Sequence, residues 1–140
     1  MRLCGLVFCG SIALAALGTT ALSAADADSI ARGKYLVQEV AKCSECHTPL
    51  GTDGKPDMTK YFKGATLTFQ PIDAVPGWHK TSPDITSTGR IWARWGDDGS
   101  VKFFETGKNP RGSAADPPMP AYTMTHSDAQ AVVDYLRSLK

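Results

Sequence analysis

Two cysteines and a histidine stand together in the run Cys43-Ser44-Glu45-Cys46-His47. Cysteines three positions apart lie on one side of a helical turn, so both sulfurs can add to the two vinyl groups on one edge of a porphyrin. The histidine that follows at once is placed to bring an imidazole nitrogen to the iron. C-x-x-C-H is the attachment signal of a c-type haem, and attachment and ligation are then solved within five residues. Three other chemistries use a cysteine pair: a structural disulfide, a thioredoxin-like redox couple, and half of a zinc site. A zinc site needs two more ligands at matching spacing, and the only other cysteines, Cys4 and Cys9, fall in a segment expected to be removed. A thioredoxin-like pair opens a helix after a strand, whereas here the pair follows a helical pattern.

With His47 on one face of the iron, the group on the other face separates electron transfer from ligand chemistry. The candidates are Met58, Met119, Met124, His79 and His126. Met119 is preferred. It sits in Asp116-Pro117-Pro118-Met119-Pro120-Ala121-Tyr122, where prolines on both sides fix the backbone and remove competing N–H donors. A stiff loop holds a thioether on iron at a small entropic cost. Met124 is the runner-up, five residues on. Met58 follows the polar stretch Gly54-Lys55-Pro56-Asp57 and reads as half-exposed filler. His79, beside Trp78, either touches a haem propionate or faces water. His126 reads as a solvated residue near a helix start.

Three helices have to position these groups. The first is expected from Asp28 or Ser29, either of which can cap it, to about Lys42, with Ile30, Gly33, Val37 and Val40 in one apolar stripe and Leu36 beside it. The last is expected to start with a capping box of Ser127 and Gln130 and to present Ala129, Val132, Val133, Leu136 and Leu139 on one face. The two stripes are each other's simplest partner, with Gly33 allowing close approach and Tyr135 packing over the gap. A third helix is expected from about Asp97 to Thr106, with Phe103 and Phe104 inward and Gly107 ending it. Between His47 and Ile91 the chain is rich in Gly, Pro, Thr and Asp and shows no helical period. So long an irregular stretch is unusual in a compact domain, unless it wraps a large apolar group and buries Leu67, Phe69, Ile72, Trp78 and Ile85 against it. Thr66 to Gln70 and Trp78 to Ser82 are expected to pair as a short ribbon.

Arg2 is followed by an uncharged Ala-rich run from Leu3 to Leu22 and the small residues Ser23, Ala24 and Ala25. This pattern predicts an export signal, residues 1–25, cleaved near Ala25. An uncleaved membrane anchor is the competing reading, because about twenty apolar residues span a bilayer. Roughly 115 residues remain, enough for one domain, 26–140. Removing the leader takes away Arg2 alone and leaves 14 basic and 14 acidic residues. That balance excludes the basic footprint of a nucleic-acid binder, and a redox partner would have to be met by a local patch. No stable membrane insertion is expected after cleavage.

Gly33-Lys34-Tyr35-Leu36, Cys43-x-x-Cys46-His47-Thr48, Ser82-Pro83-Asp84-Ile85-Thr86, Pro118-Met119-Pro120 and Asp134-Tyr135-Leu136 occur in that order. The chain resembles the single-haem class I cytochromes c over about residues 28–140. More narrowly, it is similar to the cytochrome domains that serve periplasmic alcohol, aldehyde and sugar-acid dehydrogenases. The resemblance implies an all-α cytochrome c fold, with crossed N- and C-terminal helices, a third helix, and long irregular loops around one iron-containing haem c. It implies that Cys43 and Cys46 bond the haem and that His47 and Met119 are its axial ligands. Ser82, Pro83 and Ile85 would line the pocket, and Trp95 would begin the helix that supports it. The dehydrogenase subunits usually carry three haem motifs and this chain has one. Their pocket motif usually has Asn where Asp84 stands here.

An iron closed on both faces gains or loses one electron and does little else. The sequence therefore points to a periplasmic electron carrier, not an enzyme, which takes electrons from a dehydrogenase or membrane complex and passes them to an oxidase or another cytochrome of the respiratory chain. A catalytic or gas-sensing haem protein with an open distal site is the alternative. A third reading is the fixed cytochrome subunit of one dehydrogenase, with Trp78, Trp92 and Trp95 as a contact surface, although haem packing and core filling explain most of these side chains.

Overall fold

The computed structural model describes residues 24–140. The export segment thus lies outside the described residues, apart from the backbone of Ala24 and Ala25. Four helices and a two-stranded ribbon follow one another: α1 (Ala24–Tyr35), a π-helical turn (Leu36–Val40), α2 (Ser44–His47), a 3-10 turn (Met58–Lys60), β1 (Ala65–Thr66), β2 (Thr81–Ser82), α3 (Arg90–Thr106) and α4 (His126–Ser138).

The frame is the crossing of α1 and α4. A Cβ on Gly33 would lie 1.8 Å from the Ala131 carbonyl oxygen and 2.7 Å from Cβ of Tyr135, so only glycine permits the contact. Leu36 and Val37 on one side meet Ala129, Val132, Val133 and Leu136 on the other, all buried. Tyr135 packs over the crossing, and its hydroxyl accepts a hydrogen bond from Gln38 Nε2 at 2.7 Å. Polar groups tie the rim: Arg32 pairs with Asp128 at 2.9 Å, and Ser29 Oγ donates to Asp134 at 2.5 Å.

Several details differ from the sequence expectation, each for a local reason. Helix α1 starts at Ala24, so Ser29 lies inside it and spends its hydroxyl on Asp134 rather than on a cap. Val40 is 56% exposed. The π turn, closed by Ala41 N–H to the Leu36 carbonyl, adds residues to the turn and rotates Val40 off the stripe. The cap of α4 is Thr125, whose side chain accepts from the Asp128 N–H. Gln130 donates to Asp134 instead of reaching back, so the Ser127–Gln130 box does not form. Helix α3 begins at Arg90, not Asp97, and breaks at Gly96, whose φ of 67° and ψ of −179° are open to glycine. Trp95 therefore ends the first segment of α3 and does not start the helix. Phe103 and Phe104 are buried, and Gly107 in left-handed conformation ends the helix.

The ribbon forms, but shorter: Ala65 pairs with Ser82 and Thr66 with Thr81, antiparallel. One further bond joins Leu67 N–H to the Lys80 carbonyl. Beyond it the chain swings outward, which leaves Phe69 48% exposed and Ile72 fully exposed. Phe69 meets Trp78 edge-on, with ring centroids 5.9 Å apart. Of the five apolar residues expected to be buried in this stretch, Ile85 is buried and Leu67 and Trp78 are half-buried.

Candidate haem site

A cavity of about 530 Å³ lies between the Cys43–His47 turn, the ribbon, α3 and the chain that precedes α4. Its wall includes every site residue expected from the sequence: Cys43, Cys46, His47, Ser82, Pro83, Ile85, Trp95 and Met119. Most of the remaining wall is aromatic or aliphatic, with Trp92, Phe103, Phe104, Tyr122 and Leu136 prominent.

The attachment turn is placed by the backbone. After the π turn, Lys42 takes a left-handed conformation with φ of 52°, and Cys43 N–H bonds to the Val37 carbonyl at 3.0 Å. This reversal directs Cys43 inward and starts α2, in which His47 N–H bonds to the Cys43 carbonyl. Cys43 is buried, Cys46 half-buried, and the two are not bonded to one another. Burial pushes the Cys43 thiol up to about 11 and raises that of Cys46 as well. A redox-active pair needs a lowered thiol pKa, so the environment argues against that use. Among the described residues, no group of three or more Cys, His, Asp or Glu side chains is arranged to hold a metal ion.

His47 is 5% exposed. Its Nδ1 lies 2.8 Å from the Pro83 carbonyl, and a carbonyl only accepts, so the proton is on Nδ1 and the lone pair on Nε2. That is the tautomer an iron-ligating imidazole requires, held by the kind of backbone partner that fixes ring orientation. Burial lowers the His47 pKa, against the opposing effect of the Pro83 bond, which favours the neutral ring. Ser82 Oγ donates to the Cys46 carbonyl at 2.5 Å and accepts from Ala65 N–H at 2.9 Å. Gly64 N–H bonds to the His47 carbonyl, and Thr48 Oγ1 accepts from Phe62 N–H. Asp84 does not line the cavity. Its carboxylate accepts from the backbone and hydroxyl of Thr86 at 2.7 Å and from Thr88, with Lys63 at 3.7 Å. Thr86, fully buried, offers its carbonyl to Trp92 Nε1. Trp92 is consequently an interior residue, not part of an exposed aromatic face.

Met119 is half-buried against the core and also lines the cavity. Met58 is 63% exposed and Met124, half-buried, is not part of the wall. His79 reaches the rim, where Nε2 lies 3.4 Å from Asp116 and the His79 backbone N–H bonds to the Pro117 carbonyl. His126, the first residue of α4, pairs with Glu105 at 2.7 Å on the surface. Two contributors escaped the sequence reading. The Pro83 carbonyl leaves no side-chain trace, and Tyr122 carried one weak signal, an aromatic hydroxyl three residues after Met119.

A family model of cytochrome c matches residues 30–140. The chain belongs to the cytochrome c family. A cytochrome c carries covalently bound haem c with iron, and Cys43 and Cys46 supply its attachment motif. The fold is the all-α cytochrome c fold, that of a family of electron-transfer proteins. Similar proteins include the fructose dehydrogenase cytochrome subunit of Gluconobacter japonicus, 32% identical over 114 residues, which covers 77% of this chain and 21% of that protein. The cytochrome c subunit of the quinone alcohol dehydrogenase of Gluconobacter oxydans (strain 621H) is 32% identical over 124 residues, 79% of this chain and 24% of that one. The gluconate 2-dehydrogenase cytochrome c subunit of Pantoea cypripedii is 31% identical over 127 residues, 79% and 26% respectively. The chain thus spans about a quarter or less of the length of these relatives. Among the described residues, no helix is long and apolar enough to cross a membrane.

Proposed function

We propose that this cytochrome is a periplasmic single-electron carrier whose haem iron is held by His47 and Met119. In this reading it receives electrons from a periplasmic dehydrogenase or membrane complex and passes them to an oxidase or another cytochrome. The observation that carries the proposal is that a tautomer-fixed, buried His47 and the half-buried thioether of Met119 line one and the same cavity. When bound, the haem supplies an iron that changes its charge by one electron. The chain does the rest. Pro83 holds the imidazole in orientation, and the apolar wall keeps water out and disfavours the more highly charged oxidised state. The neutral thioether favours the reduced state over what an anionic ligand would give. The hydrogen bonds of Ser82, Gly64 and Thr48 keep the proximal side from moving between the two states.

Export is supported by the leader pattern of residues 1–25, and a dehydrogenase as electron donor by the names of the similar subunits. The test is to mix the oxidised, purified protein with membranes or a soluble fraction containing a quinone- or flavin-dependent dehydrogenase and its sugar or alcohol substrate. Substrate-dependent reduction, one electron per chain and insensitive to carbon monoxide, is the expected result. Rapid carbon monoxide binding by the reduced protein, without reduction by any dehydrogenase, would replace the carrier with the open-site alternative.

A further inference from the structure

Nine residues, 115–123, bring Met119 to the cavity wall with no regular secondary structure. Among the described residues, three polar contacts join this strap to the rest of the chain. His79 N–H donates to the Pro117 carbonyl at 2.8 Å, His79 Nε2 lies 3.4 Å from Asp116, and the Tyr122 hydroxyl donates to the Ala41 carbonyl at 3.3 Å. The two His79 contacts precede Met119, and the side-chain contact to Asp116 is largely solvent-exposed, so it holds little. Among the described residues, Tyr122 is the one polar anchor between Met119 and Met124, whose N–H bonds to the Phe104 carbonyl at 2.9 Å and fixes the start of the approach to α4.

Its target is informative. Ala41 closes the π turn and is two residues before Cys43, next to the left-handed Lys42 that directs Cys43 inward. The phenol therefore joins the strap bearing the distal thioether to the turn bearing the proximal attachment. Its ring lines the cavity and packs on Phe104, with centroids 6.2 Å apart. We propose that Tyr122 is a positioning residue for Met119, stapling the strap to the Cys43 turn so that the thioether stays on the iron. Burial pushes the phenol pKa up to about 12, so it remains a neutral donor throughout the physiological range. The inference rests on Met119 as the distal ligand and adds what keeps it there.

Tyr122→Phe removes the hydroxyl and keeps the ring. In the holoprotein it should increase the rate of carbon monoxide binding to the reduced form about fivefold, the size expected for one half-buried hydrogen bond. The long-wavelength thioether-to-iron band of the oxidised form should weaken and the reduction potential should fall. Arg32→Gln, which cuts the exposed α1–α4 ion pair outside the strap and the cavity wall, should lower stability without changing any of the three. Met119→Leu serves as reference: if it leaves the band intact, the ligation reading itself fails. If Met119→Leu abolishes the band while Tyr122→Phe matches wild type or Arg32→Gln, the ligation stands and the role of Tyr122 is overturned.

Discussion

The two walls of the haem cavity are built in opposite ways. On the proximal side, Cys46 and His47 are tied down by Ser82, Pro83 and Gly64 through hydrogen bonds of 2.5 to 2.8 Å, and the adjoining Thr48 is bonded to the Phe62 N–H. On the distal side, one methionine hangs on a strap with three polar contacts to the rest of the chain. A covalently attached group needs a rigid attachment face, whereas the distal ligand needs only enough restraint to win against water. The contrast implies that damage to the proximal wall costs the cofactor or the fold, and damage to the distal wall costs ligation alone.

The sharpest break of that contrast comes from the cysteines. Replacing Cys43 and Cys46 together with alanine should abolish retention of haem through denaturing electrophoresis, while Met119→Leu should retain it fully. The shared frame comes next. Gly33→Val would drive a side chain into the Ala131 carbonyl, and forced overpacking of this kind costs about 1–3 kcal/mol or more. A chemical-denaturation midpoint lowered for both walls at once would be the signature. Ser82→Ala unties the Cys46 carbonyl from the ribbon and should cost about 1 kcal/mol in denaturation, with the thioether-to-iron band unchanged. A weakened band would mean that the two walls are not separable.

The smallest effect concerns pH. Burial alone would raise the Asp84 pKa, but the bonds from Thr86 and Thr88, with Lys63 nearby, hold it below the ordinary carboxylate range. A depressed carboxylate pKa stabilises the fold above its unfolded value, and the contribution is lost as pH falls through the folded one. Asp84→Asn should therefore lower the thermal midpoint at neutral pH, with the difference narrowing as the pH drops through the acid range. A constant difference at all pH values would remove the charge from the explanation.

The same contrast explains what was legible in the sequence. Cys43, Cys46 and His47 are readable because the chemistry is compressed into five positions. Gly33, Phe103, Phe104 and Gly107 are readable because helical spacing and turn conformation are local properties. The α4 cap was misplaced because Thr125 and Ser127 are both competent, and the choice depends on Gln130 finding Asp134 rather than the helix start. The early start of α3 carries no side-chain cap, since Gly89 stands before it and Gly96 interrupts it. Phe69 and Ile72 were expected inside because they are apolar; the ribbon's length, set by pairing across 17 residues, sends them outward. The Pro83 carbonyl and the Tyr122 anchor are long-range pairings of a side chain with a backbone carbonyl, which no residue pattern encodes.

The central claim is that the iron is closed by His47 on the tied wall and by Met119 on the strap. Its most direct measurement is the long-wavelength absorption of the oxidised holoprotein in wild type, Met119→Leu and Met124→Leu. The account predicts the thioether-to-iron band in wild type and Met124→Leu and its loss in Met119→Leu with the haem still covalently attached. Survival of the band in Met119→Leu would contradict it.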